Sequence, residues 1–279
     1  MVTLRAPDPI TRCDGPWAAF VDRGFAGPST AWRGVSLESG DPFEVARLDP
    51  RAWRVPLDAT VVYDKDGAAL MFVPSAPGAT LKEIVDASSE QRARLDSALA
   101  VRIVDVVTNA VLADPGQAIS SSHVLVGFDG SVRVRGHLPW WGERRPPPLP
   151  PGTVIPTARG ETLALLGIVV AEAMTSRAGA PRSLALPTVD RRIRDELRDL
   201  LVRLLESPLR PDVEELWDAG DDLASDDEVR ARLDRVVRFL PAAPAPELGA
   251  VVQNLFHARF DAERKTRELV DELLAGAAP

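Results

Sequence analysis

The hydrophobic pattern changes period near residue 80. Up to about Val73, short apolar runs alternate with turn residues: Thr30–Leu37, Phe43–Leu48, Ala59–Tyr63 and Ala68–Val73 are separated by Gly27, Pro28, Gly40, Pro42 and Gly67. That punctuation predicts short strands over residues 16–73. From Thr80 the apolar positions recur every three to four residues, which predicts helices. Ser88-Ser89-Glu90-Gln91 reads as the start of a long amphipathic helix carrying Leu95, Leu99, Val101, Ile103, Val106, Val107 and Val111. Two Val-rich runs then flank Asp129-Gly130, the dipeptide of a tight hairpin. A Pro-rich stretch, Leu138–Pro156, precedes an apolar helix expected over 157–175. A strongly amphipathic helix is expected over 189–206, with Ile193, Leu197, Leu200, Leu201, Leu204 and Leu205 on one face, and another after Pro211.

Composition narrows the class. The chain has 279 residues, 45% of them hydrophobic, enough for one large domain or two small lobes with real cores. One cysteine, Cys13, excludes a disulfide framework and a multi-thiolate metal site. The first residues lack a basic start followed by an apolar core, so no signal peptide is expected and a reducing cytoplasm is the expected compartment. The longest apolar stretch, Leu163 to Met174, is too short for a membrane span and contains Glu172. A net charge of −8 argues against generic nucleic-acid binding. Arg191, Arg192 and Arg194 alternate with acids and read as a solvated helix face. Lysine is nearly absent: Lys65, Lys82 and Lys265 are the only three.

The chemistry-bearing segment runs from Ala113 to Leu138. Its sequence Ala-Ile-Ser-Ser-Ser-His-Val-Leu-Val-Gly-Phe-Asp-Gly-Ser-Val-Arg-Val-Arg-Gly-His-Leu, from Ala118, resembles the catalytic loop and following hairpin of bacterial Ser/Thr protein kinases. Ser122, Val124-Leu125-Val126 and Asp129-Gly130-Ser131-Val132 carry the likeness. The departures fall on the chemistry. The resemblance puts Ala118 where the family has its catalytic Asp, Ser120 for the loop Lys, His123 for the metal-binding Asn and Gly136 for the metal-binding Asp. Independently of the likeness, phosphoryl transfer needs magnesium held by hard oxygen ligands. Between Pro115 and Gly142 the only acid is Asp129, at an expected hairpin tip facing solvent. No metal site is expected from this segment, and no cofactor for the chain.

Weaker likenesses follow in the family's order. Asp22-Arg23-Gly24-Phe25-Ala26 through Gly34 is similar to its first hairpin, with the glycine-rich pattern reduced to Gly24-x-Ala26-x-x-Ser29. Pro77–Leu81 resembles the segment after the interlobe hinge, Leu166–Glu172 a helix of the large lobe, and Ser207–Pro211 with Glu215-Leu216 the close of the domain. The resemblance implies an α+β, bilobal kinase-like fold. Residues 1–15 would be an N-terminal extension, 16–225 the kinase-like domain with its lobes over 16–76 and 77–225, and 226–279 a helical C-terminal extension. The family's phosphate-anchoring Lys is replaced by Ala46-Arg47. The interval 48–58 contains Pro50 and Pro56, which argues for a reduced or absent αC helix.

The implied protein is a pseudokinase, a signalling scaffold or regulatory subunit that binds a protein partner. The alternatives are a nucleotide-using enzyme of altered chemistry and a divergent kinase with weak ATP binding, for which Gly24, Arg47 and Arg135 are the residual nucleotide contacts. Ser120-Ser121-Ser122 beside His123 invites a nucleophile-and-base reading, but no G-x-S-x-G elbow is present and neighbouring strand residues face apart. Arg145, Pro148 and Pro151 form an R-x-x-P-x-x-P pattern, either a docking motif for SH3-type modules or a stiff linker. Trp140 and Trp141 precede it as a candidate partner patch. In the tail, Phe256 and Phe260 lie four apart on an expected helix, which either packs on the large lobe or docks a partner or second copy.

Overall fold

The structure is a computed structural model. It describes residues 17–21, 32–36, 42–47, 60–63, 69–74, 77–91, 94–113, 119–134, 159–178, 186, 189–205 and 224–276, with only the backbone for those before Pro77 and for 159–161, 266 and 269–276. The protein mixes α and β structure in two compact units, one of residues 1–77, 138–154 and 258–279, the other of 78–137 and 155–257.

In the first unit β1 (Trp17–Val21), β2 (Trp32–Ser36), β3 (Pro42–Arg47), β4 (Thr60–Tyr63) and β5 (Ala69–Pro74) form one antiparallel sheet. The strand order is β1-β2-β3-β5-β4. β2 to β5 fall on the four runs that the turn punctuation singled out, and β1 lies in the same 16–73 span. Register pairs Trp32 with Val45, Val45 with Phe72, and Thr60 with Phe72. Residues 48–59, where the missing helix was expected, lie outside the described residues.

The second unit opens with β6 (Gly78–Thr80) and α1 (Leu81–Glu90). Thr80 caps α1 in a reciprocal box with Glu83: its hydroxyl accepts from the Glu83 N–H at 3.2 Å, and the Glu83 carboxylate accepts from the Thr80 N–H at 2.8 Å. This corrects the sequence expectation of one long helix opening at Ser88. Ser88 and Ser89 instead close α1. The Ser89 hydroxyl donates to the Ser176 carbonyl at 3.2 Å, and the Leu95 N–H donates to the Ser176 hydroxyl at 3.2 Å. A tertiary contact thus takes the Ser89 hydroxyl that local spacing offered as a cap, and α2 starts only at Ser97, running to Ala113.

A single 3₁₀ turn (Ser121–His123) leads into β7 (Val124–Gly127) and β8 (Val132–Val134), which with β6 make a three-stranded antiparallel sheet. Helices α3 (Arg159–Thr175), α4 (Arg194–Leu205) and α5 (Asp226–Phe239) follow. Expected from residue 189, α4 begins five residues later, because Asp190 forms a turn with the Arg192 N–H at 2.9 Å. The helix expected after Pro211 falls outside the described residues.

The core sits among α2, α3, α4 and α5. Ile103, Leu166, Leu197, Leu200, Leu201 and Leu204 are all fully buried. Thr162, Leu163, Ala164, Leu166, Val169, Val170, Ala171 and Ala173 are buried around the circumference of α3. A helix apolar on every side belongs in the centre, and α3 packs on both α2 and α4.

After α5 the chain is pinned rather than free. The Ala243 N–H donates to the Ala98 carbonyl at 3.0 Å, and the Arg102 guanidinium donates to the Ala243 carbonyl at 3.2 Å. Helix α6 (Ala245–Leu255) then packs on α1, α2, β6 and β7. Phe256 breaks the helical path, and α7 (His257–Gly276) continues. Residues 226–257 therefore share the compact unit of α2–α4, whereas 258–279 group with the five-stranded sheet. Among the described residues, no helix is long and apolar enough to cross a membrane.

Candidate functional site

The degenerate loop is built from a local cap. Ser120 is extended and ends the approach to the 3₁₀ turn. Its N–H donates to His123 Nδ1 at 3.1 Å, its hydroxyl lies 3.1 Å from the same nitrogen, and its carbonyl accepts from the His123 N–H at 2.9 Å. A backbone N–H can only donate, so Nδ1 presents its lone pair and the ring proton resides on Nε2. His123 is 8% exposed, with Ser121 also buried. The segment is not a strand at Ser120, so the expectation that the serines and His123 face apart is corrected for this pair. The turn brings Ser120 and His123 together. The contact is nevertheless a cap: the nitrogen a base would need is already engaged by a main-chain donor. The S-x-x-H spacing, three residues apart as in a capping box, was the available signal.

Beyond β7, the hairpin turns through Phe128–Ser131. The Gly130 N–H donates to the Gly127 carbonyl at 2.9 Å, and the Gly127 N–H to the Ser131 carbonyl at 2.8 Å. Gly130 has φ +78°, a left-handed conformation that explains the Asp-Gly pair. Asp129 is exposed at the tip, as the hairpin reading predicts. Its Oδ1 accepts from the Ser131 N–H at 2.9 Å. Partial burial alone would raise its pKa, but hydrogen bonding from Ser131 and the charge of Arg133 outweigh that and hold it below the ordinary aspartate value. The carboxylate is committed to its own turn.

Sequence reasoning did not foresee what lies against this turn. Gln253 of α6 donates through Nε2 to the Phe128 carbonyl at 2.7 Å, and Gly249 of α6 faces the backbone of Phe128–Gly130. The signal was the small residue in Leu248-Gly249-Ala250, unusual in a helix interior unless a backbone approaches closely.

The remaining candidates separate. Arg47 ends β3 opposite Leu70 in the first unit. Phe256 and Phe260 are half-buried, and each has a partner. Gly24, Ala118, Arg135, Gly136, Trp140, Trp141, Arg145, Pro148 and Pro151 lie outside the described residues. Among the described residues, no three His, Cys, Asp or Glu side chains are grouped so as to hold a metal ion. The chain matches no protein-family model and no curated protein sequence.

Proposed function

We propose that this chain is a catalytically inactive, protein-kinase-like protein of the cytoplasm that acts by binding a protein partner, as a signalling scaffold or regulatory subunit. The reading draws on the motif remnants in the family's order and on a sheet-containing unit followed by a largely helical one. One observation carries it. The residue standing where the resemblance implies a metal-binding Asn is His123, buried and capping the backbone of Ser120 through Nδ1.

Magnesium favours oxygen ligands in near-ideal octahedral geometry. An imidazole whose nitrogen caps a main-chain N–H offers it nothing, and the hairpin's one carboxylate is tied to Ser131. Substitutions of the loop Lys, the base and the second metal ligand act on the same reaction. Their losses compound because positioning and charge stabilisation supply nearly all of phosphoryl-transfer catalysis.

The test is incubation of the full chain with γ-labelled ATP and magnesium, alone and with a generic basic protein substrate. No label on either protein is the expected result. Time-dependent labelling of the chain, retained after repurification, would overturn the proposal.

A further inference from the structure

Between α5 and α6 the chain runs through Leu240-Pro241-Ala242-Ala243-Pro244, a segment whose backbone is set largely by proline sterics. Each ring locks its own φ and holds the residue before it out of the helical region, so Leu240, Pro241, Ala243 and Pro244 are all kept extended. The angles agree. Leu240 has φ −140° and ψ 95°, and Pro244 has φ −59° and ψ 148°, the latter at polyproline II values.

A polyproline II turn takes three residues and rises about 3.1 Å per residue, so Pro241 and Pro244 share one edge, about 9 Å apart, and Leu240 and Ala243 share another. Burial follows that division. Leu240 and Ala243 are 6% and 7% exposed, whereas Pro241 and Pro244 are exposed. The buried edge is tied down through its main chain. The Ala243 N–H and carbonyl are both engaged, by the Ala98 carbonyl and by Arg102, and the Leu240 N–H donates to the Val236 carbonyl at 3.0 Å. Just before the exposed edge stands Phe239, 51% exposed and the one exposed large hydrophobic side chain among the described residues. Arg238 beside it is exposed too. Arg238, Pro241 and Pro244 have the same R-x-x-P-x-x-P spacing as Arg145, Pro148 and Pro151.

We infer that Phe239, Pro241 and Pro244 form a docking edge for a protein domain with a shallow groove walled by aromatic rings and a carboxylate beside it. Aromatic-lined grooves accept proline rings held in the polyproline II form, and the carboxylate pairs with the Arg238 guanidinium. Pinning at Ala243 leaves little ordering entropy to be lost on binding. Because Leu240 and Ala243 are turned into the protein, the groove reads one edge of the turn rather than two. The inference would stand even if the chain transferred phosphate, since no residue of the Ser120–His123 turn enters it.

The test is calorimetric titration of the full chain with purified SH3, WW and EVH1 domains. At least one should bind the native chain. Phe239→Ala and Arg238→Glu, both at exposed positions and so compatible with an intact fold, should each weaken that binding about tenfold or more. A set in which no domain binds overturns the inference. So does binding that both variants keep and Arg145→Ala/Pro148→Ala abolishes, which would move the docking site to the other proline motif. Sedimentation of the native chain alone should give a mass independent of concentration. Dimerisation that grows with concentration and is removed by Phe239→Ala would make a second copy the occupant, and would overturn it too.

Discussion

Gly130 and Gly249 bring the β7–β8 turn and helix α6 into backbone contact. A Cβ on Gly249 would stand 2.6 Å from the Phe128 carbonyl oxygen and 2.8 Å from the Gly130 nitrogen, and one on Gly130 would collide with the Ala245 carbonyl. Both obstacles are main-chain atoms, which cannot swing aside as a side chain does. Gln253 completes the junction by donating to the Phe128 carbonyl. The helix that follows the domain-like core is therefore part of the hairpin's own support.

Substitution at this junction should be costly. Gly249→Val should destabilise by about 1–3 kcal/mol, the range for overpacking. Gly130→Ala adds a left-handed backbone cost of about 1–2 kcal/mol to its steric clash. Gln253→Ala removes one hydrogen bond, worth about 0.5–1.5 kcal/mol. Urea denaturation of the three variants measures the series. A Gly249→Val chain as stable as the native one would mean that α6 does not sit on the turn.

Leu201 is fully buried between α4 and its neighbours. Leu201→Ala should lower stability by about 2–5 kcal/mol through lost burial and the cavity left behind. The midpoint of denaturation should shift with its slope unchanged. A loss below about 0.5 kcal/mol would place this leucine on a surface that tolerates truncation.

Glu228 links α5 to α4. Its Oε1 accepts from Arg203 at 3.0 Å and from Arg232 at 3.0 Å, and Arg232 also pairs with Asp199. Burial pushes the Glu228 pKa up, but the hydrogen bonds and charges of Arg232 and Arg203 outweigh it and hold the carboxyl below its ordinary value. A depressed native pKa gives stability that is complete above the unfolded-state value of about 4.3 and fades as pH falls through the native one. Glu228→Gln should cost about 0.2–1 kcal/mol at neutral pH and less in high salt. Below the native pKa, the variant and the native chain should converge. A difference that persists there would assign the effect to packing rather than charge.

The helical core was legible in the sequence because periodicity alone places Leu197, Leu200, Leu201 and Leu204 on one face. The Asp129-Gly130 hairpin was legible because few dipeptides adopt that turn. The division between α1 and α2 was not. Ser88-Ser89-Glu90-Gln91 carries a local capping pattern, and only the distant Ser176 decides that Ser89 bonds elsewhere. The Ser120–His123 contact was hidden for a related reason, since a 3₁₀ turn rather than a strand sets the angle between them. The α6–hairpin junction depends on residues more than a hundred positions apart, and a lone helical glycine gives no address for its partner. Of the candidate site, Ser120 and His123 belong to one cap, and Arg47 lies in the other unit.

The proposal that this chain performs no phosphoryl transfer is tested most directly by thermal unfolding with ATP, with and without magnesium. A guanidinium binds phosphate without a metal, so weak metal-independent ATP binding through Arg47 or Arg135 is compatible with the proposal. Magnesium should add nothing, because His123 is spent on Ser120 and Asp129 on Ser131. The account predicts the same melting temperature for ATP with or without the ion. A magnesium-dependent rise of several degrees, abolished by replacing a single acidic residue, would contradict it and identify a nucleotide-using enzyme.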